Sequence, residues 1–459
     1  MYRSLLIALL FLGALAYGFR PGVPGFRGDG RESRTASIAR GMVETGEVLI
    51  PRLNGEAALE EPPLSSWIVA ASMRLTGNRE ELGARLPSAL AALAVLVLVY
   101  RLGLLLGGTG VGLWSVVLLL GNLLFFRGAR TAGADLLLTA ASLGTVTAFL
   151  EAKAETERRF LPLLGWAGLA VGFLLRGTAG VLVPLVLLGA FLGAAGDRRH
   201  AGRWMRPLAG IPLFLALVLP WFVLVLRGHP EAVPLLGRAA LGTVGGLGPR
   251  GPFWLDLPVL VAGFLPGSAF FYWWIRAVRG GAEPIEIHLR WLGAGILGLF
   301  LAVSLAVPGR IDGLLPLWPF LAVGTALALE WAASRECGRA LGRVTALVAL
   351  LPALAAVVAV LVPLAGGPRV YESGPMATSF LLSIAVIGFR SAWTAWNGSW
   401  ESGLLGLTVS LVLVGLCLVQ VGGPLRSAYR VHERAAIGTP RPVPDIVIPD
   451  IGTAPLPLL

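Results

Sequence analysis

An aspartate opens an apolar run in the segment FFRGARTAGADLLLT, and two arginines, Arg127 and Arg130, precede this Asp135. Two further arginines stand at the ends of apolar runs, Arg176 in FLLRGTAG and Arg310 in VPGRIDGLLPLWPF. A carboxylate at the centre of a membrane helix costs roughly 2.5–3.5 kcal/mol on insertion scales. The cost falls toward the interface, and ionisable residues kept in such places mark pathways or sites. Guanidinium forks match phosphate oxygens two at a time, so several of them at one membrane edge suit a pyrophosphate or a lipid phosphate. Two structural alternatives stand beside this reading. A carboxylate at position 135 also suits a helix N-terminus, and a lone arginine at a span end reaches lipid headgroups along its alkyl stem.

The elements that must hold these residues follow from composition. The 459-residue chain is 56% hydrophobic and 14% charged, against about 25% charged in an average soluble domain. Its apolar runs are long enough to cross a hydrocarbon core of about 30 Å, and they lack the alternation of barrel strands. They are expected as helices: a first run over 5–17, then runs near 86–107, 111–126, 135–150, 161–175, 178–195, 207–226, 253–275, 291–307, 314–333, 344–363, 379–396 and 403–421. This predicts an all-α integral membrane protein of about 13 transmembrane helices. Ala14-Leu15-Ala16 also leaves open a cleaved signal peptide in place of the first span.

The net charge of +11 is almost wholly arginine, Lys153 being the only lysine. With the N-terminus placed in the cytoplasm, alternate loops hold Lys153, Arg158 and Arg159; Arg198, Arg199, Arg203 and Arg206; Arg276, Arg279 and Arg290; and Arg335, Arg339 and Arg343. That is the bias expected of cytoplasmic loops. It leaves Arg127, Arg130, Arg176 and Arg310 on the opposite face. No aromatic-interleaved basic patch points to nucleic acid. Cys337 and Cys417 give neither a disulfide framework nor a zinc site.

The longest polar segment runs from Asp29 to Trp67, inside an external first loop expected over 20–85. Ile38, Met42 and Val43 share one helical face, and Gly46 ends that run as a C-terminal glycine does. Asp29 and Glu32 resemble a capping pair. A second short helix is expected from Leu64 to Leu75 after Pro62-Pro63, with Trp67 as an interface anchor. Two such juxtamembrane helices can roof a cavity. The glycine-rich loop 227–252 lacks the strand-to-helix context of a nucleotide-binding turn, and His229 has no second ligand at metal-binding spacing. Residues 422–459 are expected as an external, proline-rich, irregular tail after a transmembrane domain over 1–421.

Together these residues resemble the membrane-embedded C-type glycosyltransferases (GT-C), in the branch of the aminoarabinose transferases of lipid A and the protein mannosyltransferases. The segments that carry the resemblance are RESRTASIARGMVETGEVLIPRLNGE, EEPPLSSW, ARLPSALAALAVL, ARTAGADLLLT, LLRGTAG, LPWFVLV, GPFWLDLPVLVAGFLPGS and GRIDGLLPLWPFLA, between residue 1 and about residue 335. The resemblance implies transfer of a sugar from a polyprenyl-phosphate donor to a lipid, protein or glycan acceptor at the outer face of a bacterial inner membrane. It implies Asp135 and Glu32 as the catalytic carboxylates and Arg176 and Arg310 as phosphate ligands, to which Arg127 and Arg130 add themselves by position. No cofactor is implied, and a divalent metal stays open. The chain departs from the family where an acidic pair reads Arg31-Glu32, where a lysine before Pro-Pro reads Glu61, and where charged side chains give way to small ones around Ala239 to Thr243. A non-catalytic lipid-phosphate binder and a flippase of lipid-linked intermediates are the alternatives.

Overall fold

A computed structural model describes residues 2–19, 31–59, 61–155, 157–195, 198–229, 237, 254, 256–279, 284–306, 311–335, 337–364 and 375–436. The chain opens with α1 (Tyr2–Gly18), followed by α2 (Arg31–Thr45) and α3 (Leu64–Thr76). Buried Ile38, Ala39 and Met42 of α2 pack on Val69, Ala70 and Met73 of α3. Gly46, at φ +76, ends α2 with its N–H returned to the Met42 carbonyl at 3.1 Å, and Gly77, at φ +66, ends α3. Both juxtamembrane helices thus form where the sequence places them, because glycine reaches the left-handed region without a Cβ penalty. Between them the all-α expectation omits a small hairpin. Arg52–Leu53 (β1) pairs antiparallel with Glu56–Ala57 (β2) around Asn54-Gly55, both at positive φ, the composition of a two-residue hairpin turn.

Trp67 does not serve as a lipid anchor alone. Its indole N–H donates to the Val48 carbonyl at 2.7 Å, while that of Trp221 donates to the Leu49 carbonyl at 3.0 Å. Trp221 belongs to α10 (Pro207–Gly228), so the hairpin segment is pinned from the roof and from the bundle.

The helix α4 (Glu81–Leu120) contains the run expected over 86–107 and most of the one expected over 111–126, whose end falls in the next helix; the two are joined at Gly108, whose φ of +86 breaks the helical path. The chain reverses there. A Cβ on Gly112 would lie 2.8 Å from the Tyr100 carbonyl oxygen, and one on Gly103 would lie 2.8 Å from the Gly112 Cα. Small residues allow such close approach between membrane helices. Asn122 then caps α5 (Leu123–Ala129), accepting from the Phe125 N–H at 2.7 Å and donating to the Gly263 carbonyl at 2.7 Å.

There follow α6 (Asp135–Ala154), α7 (Leu161–Arg176), α8 (Thr178–Ala195), α9 (Ala201–Met205) and α10. Next come α11 (Asp256–Gly263), α12 (Phe271–Val278) and α13 (Pro284–Ala306). The segment α11 with Gly267–Val278 is bent by 91°. The most enclosed element is α14 (Trp318–Ser334), packed against α4, α12 and α13. The last three, α15 (Gly338–Leu364), α16 (Pro375–Trp396) and α17 (Trp400–Ala436), pack on one another. Helix α17 continues past residue 422, where an irregular tail was expected; 437–459 lie outside the described residues. Among the described residues eight helices are long and apolar enough to cross a membrane, nine if the bent pair is one span. The difference from about thirteen lies in the shorter apolar helices α1, α7 and α8 and in the two runs merged in α4.

The glycine contact within α4 has a measurable cost. Gly112→Val should lower thermal stability in detergent by about 1–3 kcal/mol through overpacking against backbone, and Gly108→Ala by about 1–3 kcal/mol, because φ +86 with ψ −172 is a conformation essentially confined to glycine.

Candidate active site

The consecutive helices α6 and α7 pack against each other, which brings the start of one beside the end of the other. Asp135 is the first residue of α6 and Arg176 the last of α7. Each stands where the helix dipole favours its charge, a carboxylate at an N-terminus and a cation at a C-terminus. Their side chains meet, with Arg176 Nη2 2.5 Å from Asp135 Oδ1. The N-cap of α6 is Ala134, which supplies no side-chain cap.

A third charge comes from the roof. Glu61 Oε1 lies 3.5 Å from Arg176 Nε. Its backbone leads into Pro62 and Pro63, both buried, at the start of α3, and α3 packs against α7. Proline fixes φ and restricts the backbone of the residue before it, which sets the direction in which the Glu61 main chain enters α3. The result is one guanidinium between two carboxylates. The side chains are 16% exposed for Arg176, 22% for Asp135 and 30% for Glu61.

A second ion pair lies on the other side of the short loop that leads into α6. Glu32, in the first turn of α2, accepts from Arg85 Nε at 2.6 Å and from the Ala132 N–H at 3.3 Å. The pair is enclosed, with Arg85 3% and Glu32 11% exposed. Glu32 therefore holds the roof to α4 and to the loop before Asp135. It borders a polar cavity of about 370 Å³ lined by Ser37, Arg40, Glu80, Glu81 and Arg85. Below it, Tyr17, Leu86, Arg85 and Arg130 line a smaller cavity of about 200 Å³.

Five of the six expected site residues are among the described ones. Asp135 and Arg176 meet directly, and Glu32 reaches the same loop through Ala132. Arg130 is engaged elsewhere: its Nη1 donates to the carbonyls of Ala16 and Tyr17 at 3.3 and 3.1 Å. These end α1, whose last carbonyls lack helical partners. Burial, and then the neighbouring Arg85 charge, push the Arg130 guanidinium down to about 10. Arg127 sits half-buried in the last turn of α5. Arg310 lies outside the described residues, as do Asp29 and the stretch Ala239 to Thr243. Glu61 and Arg85 are absent from the sequence-derived site. The former was visible as a reversed charge, the latter as an arginine at the threshold of an apolar run. Among the described residues no group of three or more His, Cys, Asp or Glu side chains is placed to hold a metal ion.

The enclosure of the Glu32–Arg85 pair makes a stability prediction. Arg85→Ala should cost about 3–5 kcal/mol, the usual result of removing one partner from a buried ion pair. A double-mutant cycle with Glu32→Gln, read by thermal unfolding in detergent, should give a coupling of at least ~1 kcal/mol; additive effects would remove the pair from the account.

Comparison with known proteins bears on this geometry. The sequence model of the dolichyl-phosphate-mannose-protein mannosyltransferases matches residues 60–224. An uncharacterized protein of Aquifex aeolicus is 27% identical over 299 residues, 64% of this chain and 58% of that protein. An undecaprenyl phosphate-alpha-4-amino-4-deoxy-L-arabinose arabinosyl transferase of Edwardsiella ictaluri is 27% identical over 354 residues, 73% of this chain and 61% of that one. The chain thus spans about three fifths of the length of these curated relatives. The crystal structure of ArnT from Cupriavidus metallidurans matches with a TM-score of 0.75 in the apo state, at 21% identity, over 96% of this chain and 80% of that chain. The same protein bound to undecaprenyl phosphate gives 0.72 at 19% identity, with the same coverage. Sequence similarity from residue 60 into the first spans, joined to a shared fold over nearly the whole chain, makes this protein similar to the membrane-embedded C-type glycosyltransferases.

Proposed function

We propose that the protein transfers a sugar from a polyprenyl-phosphate donor to a lipid, protein or glycan acceptor. The observation that carries this reading is the contact between Asp135 and Arg176 at 2.5 Å, with a base and a phosphate ligand at adjacent helix ends beneath two juxtamembrane helices. The Edwardsiella relative, named for an undecaprenyl-phosphate-linked amino sugar, and the Cupriavidus structure with bound undecaprenyl phosphate support the donor class.

In this reaction the Asp135 carboxylate accepts the proton of the acceptor hydroxyl as its oxygen attacks the anomeric carbon. The bond from that carbon to the phosphate oxygen breaks, and its electron pair leaves with the polyprenyl phosphate. Arg176 faces the negative charge gathering on the departing oxygen, where a fixed cation contributes most. Arg127 and Arg310 are proposed as further phosphate ligands. Glu32, held by Arg85 and Ala132, is better suited to fixing the loop before Asp135 than to taking a proton. The arginine pattern of the loops supports an external active face on a bacterial inner membrane, with residues 1–421 as the transferase domain and 422–459 outside it.

A second reading, a lipid-phosphate binder without turnover, draws on the two charge departures at Arg31 and Glu61. One experiment separates them. Membranes containing the protein should consume a polyprenyl-phosphate sugar, and Asp135→Asn should reduce turnover by about 10²-fold or more, the scale of a general base. Donor that binds and is never consumed across a broad acceptor screen would support the binder, and full turnover by the Asp135→Asn protein would remove Asp135 from the mechanism.

A further inference from the structure

The three helices at the end of the described chain form a unit of their own. Helices α15, α16 and α17 pack mainly on one another. Ala356, Leu381, Ile384, Ala385 and Cys417 close a small core there, separate from the main one. Side chains do not fill the seam between this unit and the rest of the bundle. A cavity of about 650 Å³ lies in it, with Leu124 of α5 and Gly263 of α11 on one wall and Leu351, Ile384, Leu411 and Cys417 on the other. Its wall offers water almost nothing to bind. Apart from the Cys417 thiol, every lining side chain is hydrocarbon. The break after α11 brings backbone polar groups close by, but the Gly263 carbonyl accepts from Asn122 Nδ2 at 2.7 Å and the Leu265 N–H donates to the Ala262 carbonyl at 3.3 Å. Cavities of this character stay dry and take apolar ligands. The mouth is continuous with the lipid-facing surface, since Leu265, Leu351 and Leu418 line it while 38%, 57% and 40% exposed.

We propose that this cavity binds one acyl chain of a membrane glycerophospholipid, which fills the seam and ties the C-terminal three-helix unit to the bundle. The chain comes from hydrocarbon rather than from water, so its binding is driven by packing against a shaped wall. An empty seam would forfeit those contacts on both sides. The lipid is a structural ligand and not a substrate: among the described residues none from α2, α3, α6 or α7 lines the cavity. It therefore shares no element with the Asp135–Arg176 pair or with the roof.

Cys417 reports on occupancy, because Cys337 is the only other cysteine. The full chain carrying Cys337→Ser is solubilised in a detergent with a rigid ring hydrophobe, which supplies no free chain, and alkylated with N-ethylmaleimide. Palmitoyl-oleoyl phosphatidylglycerol should slow the reaction at Cys417 about tenfold at a concentration about ten times its dissociation constant, as expected when only the unoccupied protein reacts. A single-chain lysophospholipid should protect as well, and undecaprenyl phosphate should protect less. The same phospholipid should raise the unfolding temperature of the wild type, and Ala355→Phe, which places a ring on the cavity wall, should lose that rise. An unchanged alkylation rate overturns the proposal, as does a rise in Ala355→Phe equal to that of the wild type. Stronger protection by undecaprenyl phosphate than by the phospholipid overturns it too, and assigns the cavity to the donor tail. None of these readouts involves turnover, so their failure is distinct from a failure of Asp135 as the base.

Discussion

A charge at the edge of a hydrocarbon layer must be answered by an opposite charge or by water, and at the start of α6 this chain answers Asp135 with Arg176. Much of the surrounding architecture follows from keeping that pair together. Helices α6 and α7 are adjacent in sequence and packed as neighbours, which sets the start of one beside the end of the other. The roof then reaches the pair from two directions, through Glu61 before α3 and through Glu32 at the start of α2. Glu61 contacts Arg176 itself, and Glu32 contacts the Ala132 N–H in the loop before α6. Charges that would burden the membrane singly are thus gathered where they compensate one another.

The roof is held by a different kind of force. Its two helices bury Ile38, Met42, Val69 and Met73 against each other. Its connecting hairpin is fastened by two indole N–H groups, one from within the roof and one from α10. Tryptophan suits both tasks, because its ring packs as an apolar body while its N–H seeks a carbonyl. The polar site is consequently covered by an element with its own small core rather than by a bare loop.

Local signals located most of these elements in the sequence. Pro62-Pro63 and Gly46 marked helix ends that the structure places within a residue or so, and the two runs flanking Gly108 were separable although they merge into one helical element. The hairpin at Asn54-Gly55 was the exception: its turn signal was present, but strands of two residues are too short for alternation to show. Contacts across long sequence separation were not legible in the same way. Arg130 looked like a phosphate ligand because its type and position allow it, whereas the carbonyls of Ala16 and Tyr17, more than a hundred residues earlier, claim its guanidinium. Glu61 could be recognised as a reversed charge, yet only the packing of α3 on α7 revealed which cation it answers.

The hairpin of α6 and α7 has a consequence for biogenesis. A nascent chain presents Asp135 to the translocon before Arg176 has been synthesised, so α6 on its own enters lipid carrying an uncompensated carboxylate. Once α7 emerges, the two helices can partition laterally as one unit whose edge charges cancel. The same pair that closes the edge of the folded bundle therefore lowers the barrier to integrating its own scaffold. A variant that loses either partner alters the order in which these spans can leave the insertion channel, before any substrate is encountered.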